Sequence, residues 1–226
     1  PEKDRGGNTH YSGGLLRIAF NTGEDLKPLV PDAEDEVDGF FFEDVPSYTE
    51  DEFMADLMRV TAGKTDPTLA KILISKSYET ICWMHDYGGI PMEPAVSLSA
   101  IRVGNKLRWQ KGAIVRALHE GVGLSNHWFK KSEENNITVW YGVGAVELLQ
   151  NEDGAVVGVL ANTGETLEEI TAPAVILGCG GVEANAQMRA QYLGAPWDHA
   201  KVRGSAYNQG DGLRMALDLG ALPWGQ

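Results

Sequence analysis

From Thr49 the apolar positions fall at helical spacing, with Phe53, Leu57 and Val60 on one face. Glu52 stands three residues after Thr49, the interval at which a hydroxyl and a carboxylate cap each other's backbone N–H groups. Asp66-Pro67 supplies an N-cap and a first-turn proline for a second helix, which runs to about His85 with Leu69, Ile72, Leu73, Ile81 and Met84 and stops at Gly88-Gly89. A third helix is predicted from Gly121 to Asn136, where Gly121-Val122-Gly123 permits close packing at its start. Beyond Asn136 the period shortens. Ile137 to Tyr141, Ala145 to Leu149 and Val156 to Ala161 are apolar or alternating runs split by Gly, Asn and Asp, the pattern of a small antiparallel unit. Ala174 to Cys179 is continuously apolar, as in a strand buried on both faces of a parallel sheet, and Gly180-Gly181 ends it. Helices from about Glu183 to Tyr192 and from Asp211 to Leu219 follow, with Gly220 just past the second.

The segments between these elements are of three kinds. Gly6 to Gly14 reads as a loop whose backbone can approach another group closely. Asn21 to Tyr48 is acidic and rich in loop formers, an irregular excursion that docks by Phe40-Phe41-Phe42. Residues 90–120 are mixed and predict no particular element. The order of elements gives an α/β fold class, and 226 residues give one or two domains.

Composition narrows the function. A net charge of −13, from 19 basic and 32 acidic residues, disfavours a protein that grips nucleic-acid phosphates. An anionic cofactor remains compatible, because helix N-termini and backbone N–H groups bind phosphate locally. No apolar run approaches a membrane span and no secretion-signal layout opens the chain, so a soluble, cytoplasmic protein is expected. Cys82 and Cys179 suit neither a disulfide framework nor a metal site and are expected as buried thiols. Pro1 and Gln226 read as ends cut from a longer polypeptide.

Candidate chemistry lies in the glycine loops. A strand, Gly180-Gly181 and then a helix turns the backbone at the carboxyl end of a sheet, where open α/β folds bind ligands. Gly204 to Gly212 is a further glycine-rich loop leading into a helix; the bland reading of all these loops is ordinary turns. The histidines at 10, 85, 119, 127 and 199 have no zinc spacing, and His10 alone lies in a glycine-rich loop. His119 beside Glu120 reads as surface and His127 with Trp128 as packing. No G-x-S-x-G occurs, and Gly63-Lys64 lacks the rest of a P-loop.

Taken together, Arg5-Gly6-Gly7-Asn8-Thr9 with Gly13-Gly14, Ala174 to Cys179 with Gly180-Gly181 and Glu183-Ala184-Asn185, and Gly210-Asp211-Gly212-Leu213-Arg214-Met215-Ala216 resemble one family. It is the FAD-dependent succinate dehydrogenase/fumarate reductase flavoprotein family, in its soluble branch. Gly6 to Arg17, the Thr49 helix start and the Arg203 to Gly210 loop are most similar to the members that dehydrogenate tricarballylate. The resemblance implies a Rossmann-like, glutathione-reductase-type FAD-binding domain with a helical insertion and a small antiparallel β unit. Residues 1–24 would carry the flavin loop, 25–120 the mostly helical insertion, and 121–226 the β unit, the parallel-sheet strand and the last FAD-contacting loop.

In that family Gly6, Gly7, Asn8, Thr9, Ser12, Gly13 and Gly14 would wrap the flavin and pyrophosphate. Ala145 would meet the adenine side through its backbone, Gly180 and Gly181 would pass close to FAD, and Asn208, Gly210 and Asp211 would approach the flavin end. Asn8 stands where some members tether FAD through a histidine, so non-covalent FAD is expected, with His10 a neighbour. Gln209 stands where the family more often has Thr. The opening βαβ unit would precede Pro1, and the capping domain with its catalytic Arg and His would follow Gln226, leaving no catalytic residue in this chain. The implied activity of the intact protein is hydride transfer between flavin and a small polycarboxylate such as tricarballylate, with an unidentified electron acceptor. Fumarate, urocanate or a 3-ketosteroid are alternative substrates, and a non-catalytic binding fragment is the reading from another class.

Overall fold

The computed structural model describes residues 5–112 and 114–223. They fall into two compact units, one spanning Thr9–Thr138 and the other residues 5–8 with 139–223. A one-turn helix, α1 (Gly7–His10), leads from the second into the first.

In the Thr9–Thr138 unit, β1 (Leu15–Leu16) is followed by the short α2 (Ala33–Glu36), then α3 (Glu50–Val60) and α4 (Pro67–Asp86). Next come β2 (Met92–Pro94), α5 (Val96–Ser99), the hairpin β3 (Ala100–Val103) and β4 (Lys106–Trp109), β5 (Val115–Ala117) and α6 (Glu120–Glu134). The strands form an antiparallel sheet in the order β1-β5-β2 and a separate β3-β4 pair. Both predicted helix starts are present. Thr49 Oγ1 accepts from the Glu52 N–H at 3.3 Å, while Glu52 Oε2 accepts from the Thr49 N–H at 3.0 Å. Asp66 Oδ1 accepts from the N–H groups of Thr68 and Leu69 at 2.8 and 3.1 Å.

The acidic excursion forms the centre of this unit's core. Phe40 and Phe42 are fully buried and meet edge to face at 4.9 Å, and Phe40 meets Trp109 at 5.4 Å. Ile18, Leu26, Leu29, Tyr48, Ile114 and Val115 close around them. A short-spaced backbone helps: a Cβ on Gly23 would lie 1.9 Å from the Phe42 carbonyl oxygen. Phe41 points outward. The buried stripe of α4 is Ala70, Ile74, Ser77 and Ile81, whereas Leu69, Ile72 and Leu73 are exposed. This corrects the predicted face: with apolar residues on several sides, spacing leaves the rotation of the helix open, and the small Ala70 and Ser77 face inward. Val60, at the end of α3, is likewise exposed.

In the other unit, β6 (Gly144–Gln150), β7 (Val156–Asn162) and β8 (Leu167–Thr171) make an antiparallel sheet in that order. The β unit is present, but its third strand is Leu167–Thr171, and Ile137 to Tyr141 is not a strand. Helices α7 (Ala186–Leu193) and α8 (Asp211–Asp218) complete the unit. Ala174 to Cys179 is no part of a sheet among the described residues, where all strand pairs are antiparallel, and Ile176 is 95% exposed. A strand exists through its partners, and an apolar run with none alongside it has no ladder to join. Cys179, at the end of this run, is exposed and Cys82 half-buried, so neither is the fully buried thiol the sequence predicts. No helix among the described residues is long and apolar enough to cross a membrane.

Candidate functional site

The glycine loops of the 5–8 and 139–223 unit fold against one another. Gly180 adopts φ +76°, and a Cβ there would fall 2.2 Å from Asn208 Nδ2. Asn208 Nδ2 donates to Glu183 Oε2 at 3.4 Å, and its carbonyl accepts from the Ala184 N–H at 3.0 Å. Asn185 Nδ2 donates to the Gln209 carbonyl at 2.9 Å, while its Oδ1 caps α7 by accepting from Met188 N–H at 3.0 Å. Gly210, at φ +85°, sits where a Cβ would lie 2.5 Å from Met188 Sδ. Gly180, Gly181, Asn208 and Gly210 thus form one knot at the head of α8, on whose first residue, Asp211, the loop ends. Gln209 Nε2 donates to the Ala206 carbonyl at 2.7 Å, so this side chain closes its own loop.

Asn8 joins the same unit. Its Oδ1 accepts from the Ser205 N–H at 2.7 Å, and a Cβ on Gly204 would come within 2.5 Å of that oxygen. Ala145 lies half-buried on β6, opposite Ala161. Arg214 of α8 donates to the Val146 carbonyl at 2.9 Å, fixing α8 to β6.

Arg189 is a residue that sequence reasoning misses. It is 7% exposed and donates to the carbonyls of Trp197, Asp198 and Ala200 at 2.9, 3.1 and 3.0 Å, and to that of Glu183. A guanidinium is the side chain with enough planar donors for such a fan of carbonyls. Nothing in local spacing announces it, because its partners are main-chain carbonyls just before and just after α7 rather than side chains.

The Thr9–Thr138 unit holds the rest of the first loop. Ser12 Oγ donates to the Thr9 carbonyl at 2.8 Å and accepts from the Gly14 N–H at 3.2 Å, which folds Thr9–Gly14 into a tight turn. Gly14 adopts φ +63° with its Cβ direction 2.7 Å from the Glu120 carbonyl carbon, and Gly13 abuts Leu98. The Thr9 side chain is exposed and Ser12 outward-facing. At Gly7, by contrast, no atom of the described residues other than its own chain neighbours lies within 4 Å of where a Cβ would be.

One other feature carries charge. A cavity of about 280 Å³ is lined by Arg17, Tyr48, Asp56 and Arg59, among others. The Arg59 guanidinium, joined by the Tyr48 hydroxyl, holds the Asp56 carboxyl below the usual carboxylate range. Tyr48 donates to Asp56 at 3.0 Å while accepting from Arg17 at 3.0 Å. Among the described residues no cluster of three His, Cys, Asp or Glu could hold a metal ion.

Comparison with known proteins gives the family of the chain. Residues 2–223 match the family model described as FAD binding domain. The chain is 30% identical over 200 residues to urocanate reductase of Eggerthella lenta, covering 83% of this chain and 28% of that protein. It is 31% identical over 159 residues to 3-oxosteroid 1-dehydrogenase of Mycolicibacterium smegmatis, covering 60% of this chain and 28% of that protein. The chain therefore spans less than a third of the length of these curated relatives. In fold it is similar to a flavocytochrome c3 fumarate reductase, with a TM-score of 0.68 at 22% identity over 96% of this chain and 34% of that one. It is also similar to 3-ketosteroid Δ1-dehydrogenase from Sterolibacterium denitrificans, with a TM-score of 0.70 at 16% identity over 96% of this chain and 48% of that one.

Proposed function

The chain belongs to the FAD binding domain family, and from that premise we propose that it is part of a cytoplasmic oxidoreductase that dehydrogenates a small polycarboxylate, of which tricarballylate is the best match. The family match over residues 2–223, FAD as cofactor and kinship with oxidoreductases of the fumarate reductase family are the ground for this reading. Bound FAD supplies the exchange of a hydride with a substrate carbon. The chain's own residues bind and orient. The glycine loops around Asn8, Gly180 and Gly210 would let a dinucleotide approach main chain closely. Asn8 keeps its Oδ1 on Ser205, which leaves Nδ2 as the donor it would offer to FAD, held without a covalent bond. Thr9 and Asp211 would add exposed polar contacts, and Ala145 a backbone contact from β6.

Tricarballylate is favoured by the wording of Gly6 to Arg17 and of the Thr49 helix start. The relatives named for urocanate and for 3-oxosteroids supply the alternative substrates. The test uses the full-length protein, purified with its flavin and kept anaerobic. Tricarballylate should bleach the flavin absorption. Reoxidation of the chemically reduced flavin by urocanate or fumarate, without bleaching by tricarballylate, would assign a reductase instead. A full-length protein that stays colourless with excess FAD would refute the reading.

A further inference from the structure

Helix α4 carries a second apolar face besides the stripe of Ala70, Ile74, Ser77 and Ile81 that it buries. Leu69, Leu73, Lys76, Thr80, Trp83 and the capping Tyr87 follow one another at alternating intervals of four and three residues, and all are exposed. This is the spacing of a helix–helix seam, in which successive side chains point at one partner. Leu69, Leu73, Trp83 and Tyr87, with Ile72 on the flank, are each at least half exposed. The aromatic end is braced within its own unit. Trp83 stacks on Tyr87 at 5.4 Å and leans on Trp128 of α6 at 5.6 Å, and Lys131 Nζ lies 4.8 Å from the centre of the Tyr87 ring. Rings held in place this way are the side chains that anchor protein interfaces.

The order of residues along the seam names the partner. Aliphatic side chains stand at one end, rings at the other, and Lys76 and Thr80 between them. Two copies laid antiparallel, about a two-fold axis level with residue 78, set Leu69 against Tyr87, Leu73 against Trp83 and Lys76 against Thr80. Each ring then meets a branched aliphatic side chain. Lys76, which bonds Glu79 of its own helix at 2.7 Å, also comes to lie beside Glu79 of the second copy. A parallel pair would instead set Trp83 on Trp83 and Lys76 on Lys76, crowding the rings and opposing like charges. We propose that α4 is a homodimer interface, on which a second copy of this chain lays its own α4 antiparallel to form one self-complementary contact.

The test is sedimentation velocity of the full-length protein at micromolar concentration, where a dimer is expected. Leu73→Glu puts a charge into the seam at a position exposed in the single copy. It should weaken dimerisation on the order of a hundredfold while leaving thermal melting of the helical circular dichroism in place. Lys76→Glu and Glu79→Lys, at exposed charged positions that do not threaten the fold, should each weaken it about tenfold. An equimolar mixture of these two variants should recover the dimer, because opposite charges then face each other across the seam although neither helix regains its internal pair. A monomeric wild type overturns the proposal and leaves the face to another segment of the full-length protein or to a different partner. A dimer indifferent to Leu73→Glu lies elsewhere and overturns it equally. Charge reversals without effect, or without recovery on mixing, overturn the antiparallel register.

Discussion

Gly180 illustrates how a single residue serves two constraints at once. Its φ of +76° disfavours any side chain, and Asn208 Nδ2 occupies the place a Cβ would take. Gly180→Ala should therefore displace Asn208 and lower FAD affinity about tenfold, a left-handed alanine alone costing on the order of 1–2 kcal/mol. Gly63 has the same φ with no atom near its Cβ direction, so Gly63→Ala is the control and should leave flavin titration unchanged. Tyr78 offers a second residue-scale check. Burial, with Cys82 next in effect, pushes its hydroxyl up from 10.0 to about 12, and the hydroxyl donates to the Asp25 carbonyl at 2.5 Å. Because the folded value lies above the unfolded one, the stabilisation is complete below pH 10 and is lost as pH rises toward 12. Burial raises the Cys82 thiol as well, which acts in the same direction at alkaline pH. Denaturant melts should show stability falling through that window, with a shallower fall in Tyr78→Phe.

At the scale of elements, caps and clips decide where helices begin and what they hold. Thr49→Ala and Asp66→Ala each remove a side-chain acceptor from a helix start and should cost about 1 kcal/mol by urea denaturation. Glu52 adds to the first of these: Lys111 and then the Thr49 backbone N–H hold its carboxyl below the usual range, so its contribution is present at neutral pH and fades as acid protonates it. Arg189 is the larger case. Arg189→Met would remove the donor that the carbonyls of Glu183, Trp197, Asp198 and Ala200 share, and unfolding of the 139–223 segment should become easier by about 2 kcal/mol. The helix starts were legible in the sequence, because a cap is a local pattern within four residues. The rotation of α4 was not, because it depends on segments distant in the chain, and the role of Arg189 was not, because its partners are main-chain carbonyls six to eleven residues away, which no side-chain pattern marks.

At the scale of the whole molecule, the two units carry their stabilities in different ways. The Thr9–Thr138 unit owns the large aromatic core, whereas the sheet β6-β7-β8 and its helices bury few large side chains, among them Leu148 and Met215. Phe40→Ala should cost about 4 kcal/mol, the usual range for a buried phenylalanine. Hydrogen exchange should show that loss across residues 9–138 and leave the protection of β6, β7 and β8 unchanged. What the sequence determined by itself was the set of elements with strong local signals: capped helices, the β hairpin run, the glycine loops and, through their order and spacing, the family. What only the tertiary structure decided was which side each element turns inward, how Asn8 reaches Ser205 and Gly180 reaches Asn208, and that Ala174 to Cys179 pairs with no described strand. The reason is physical: caps and turns are satisfied by neighbours in the chain, whereas burial and sheet pairing are satisfied by partners that only folding brings near.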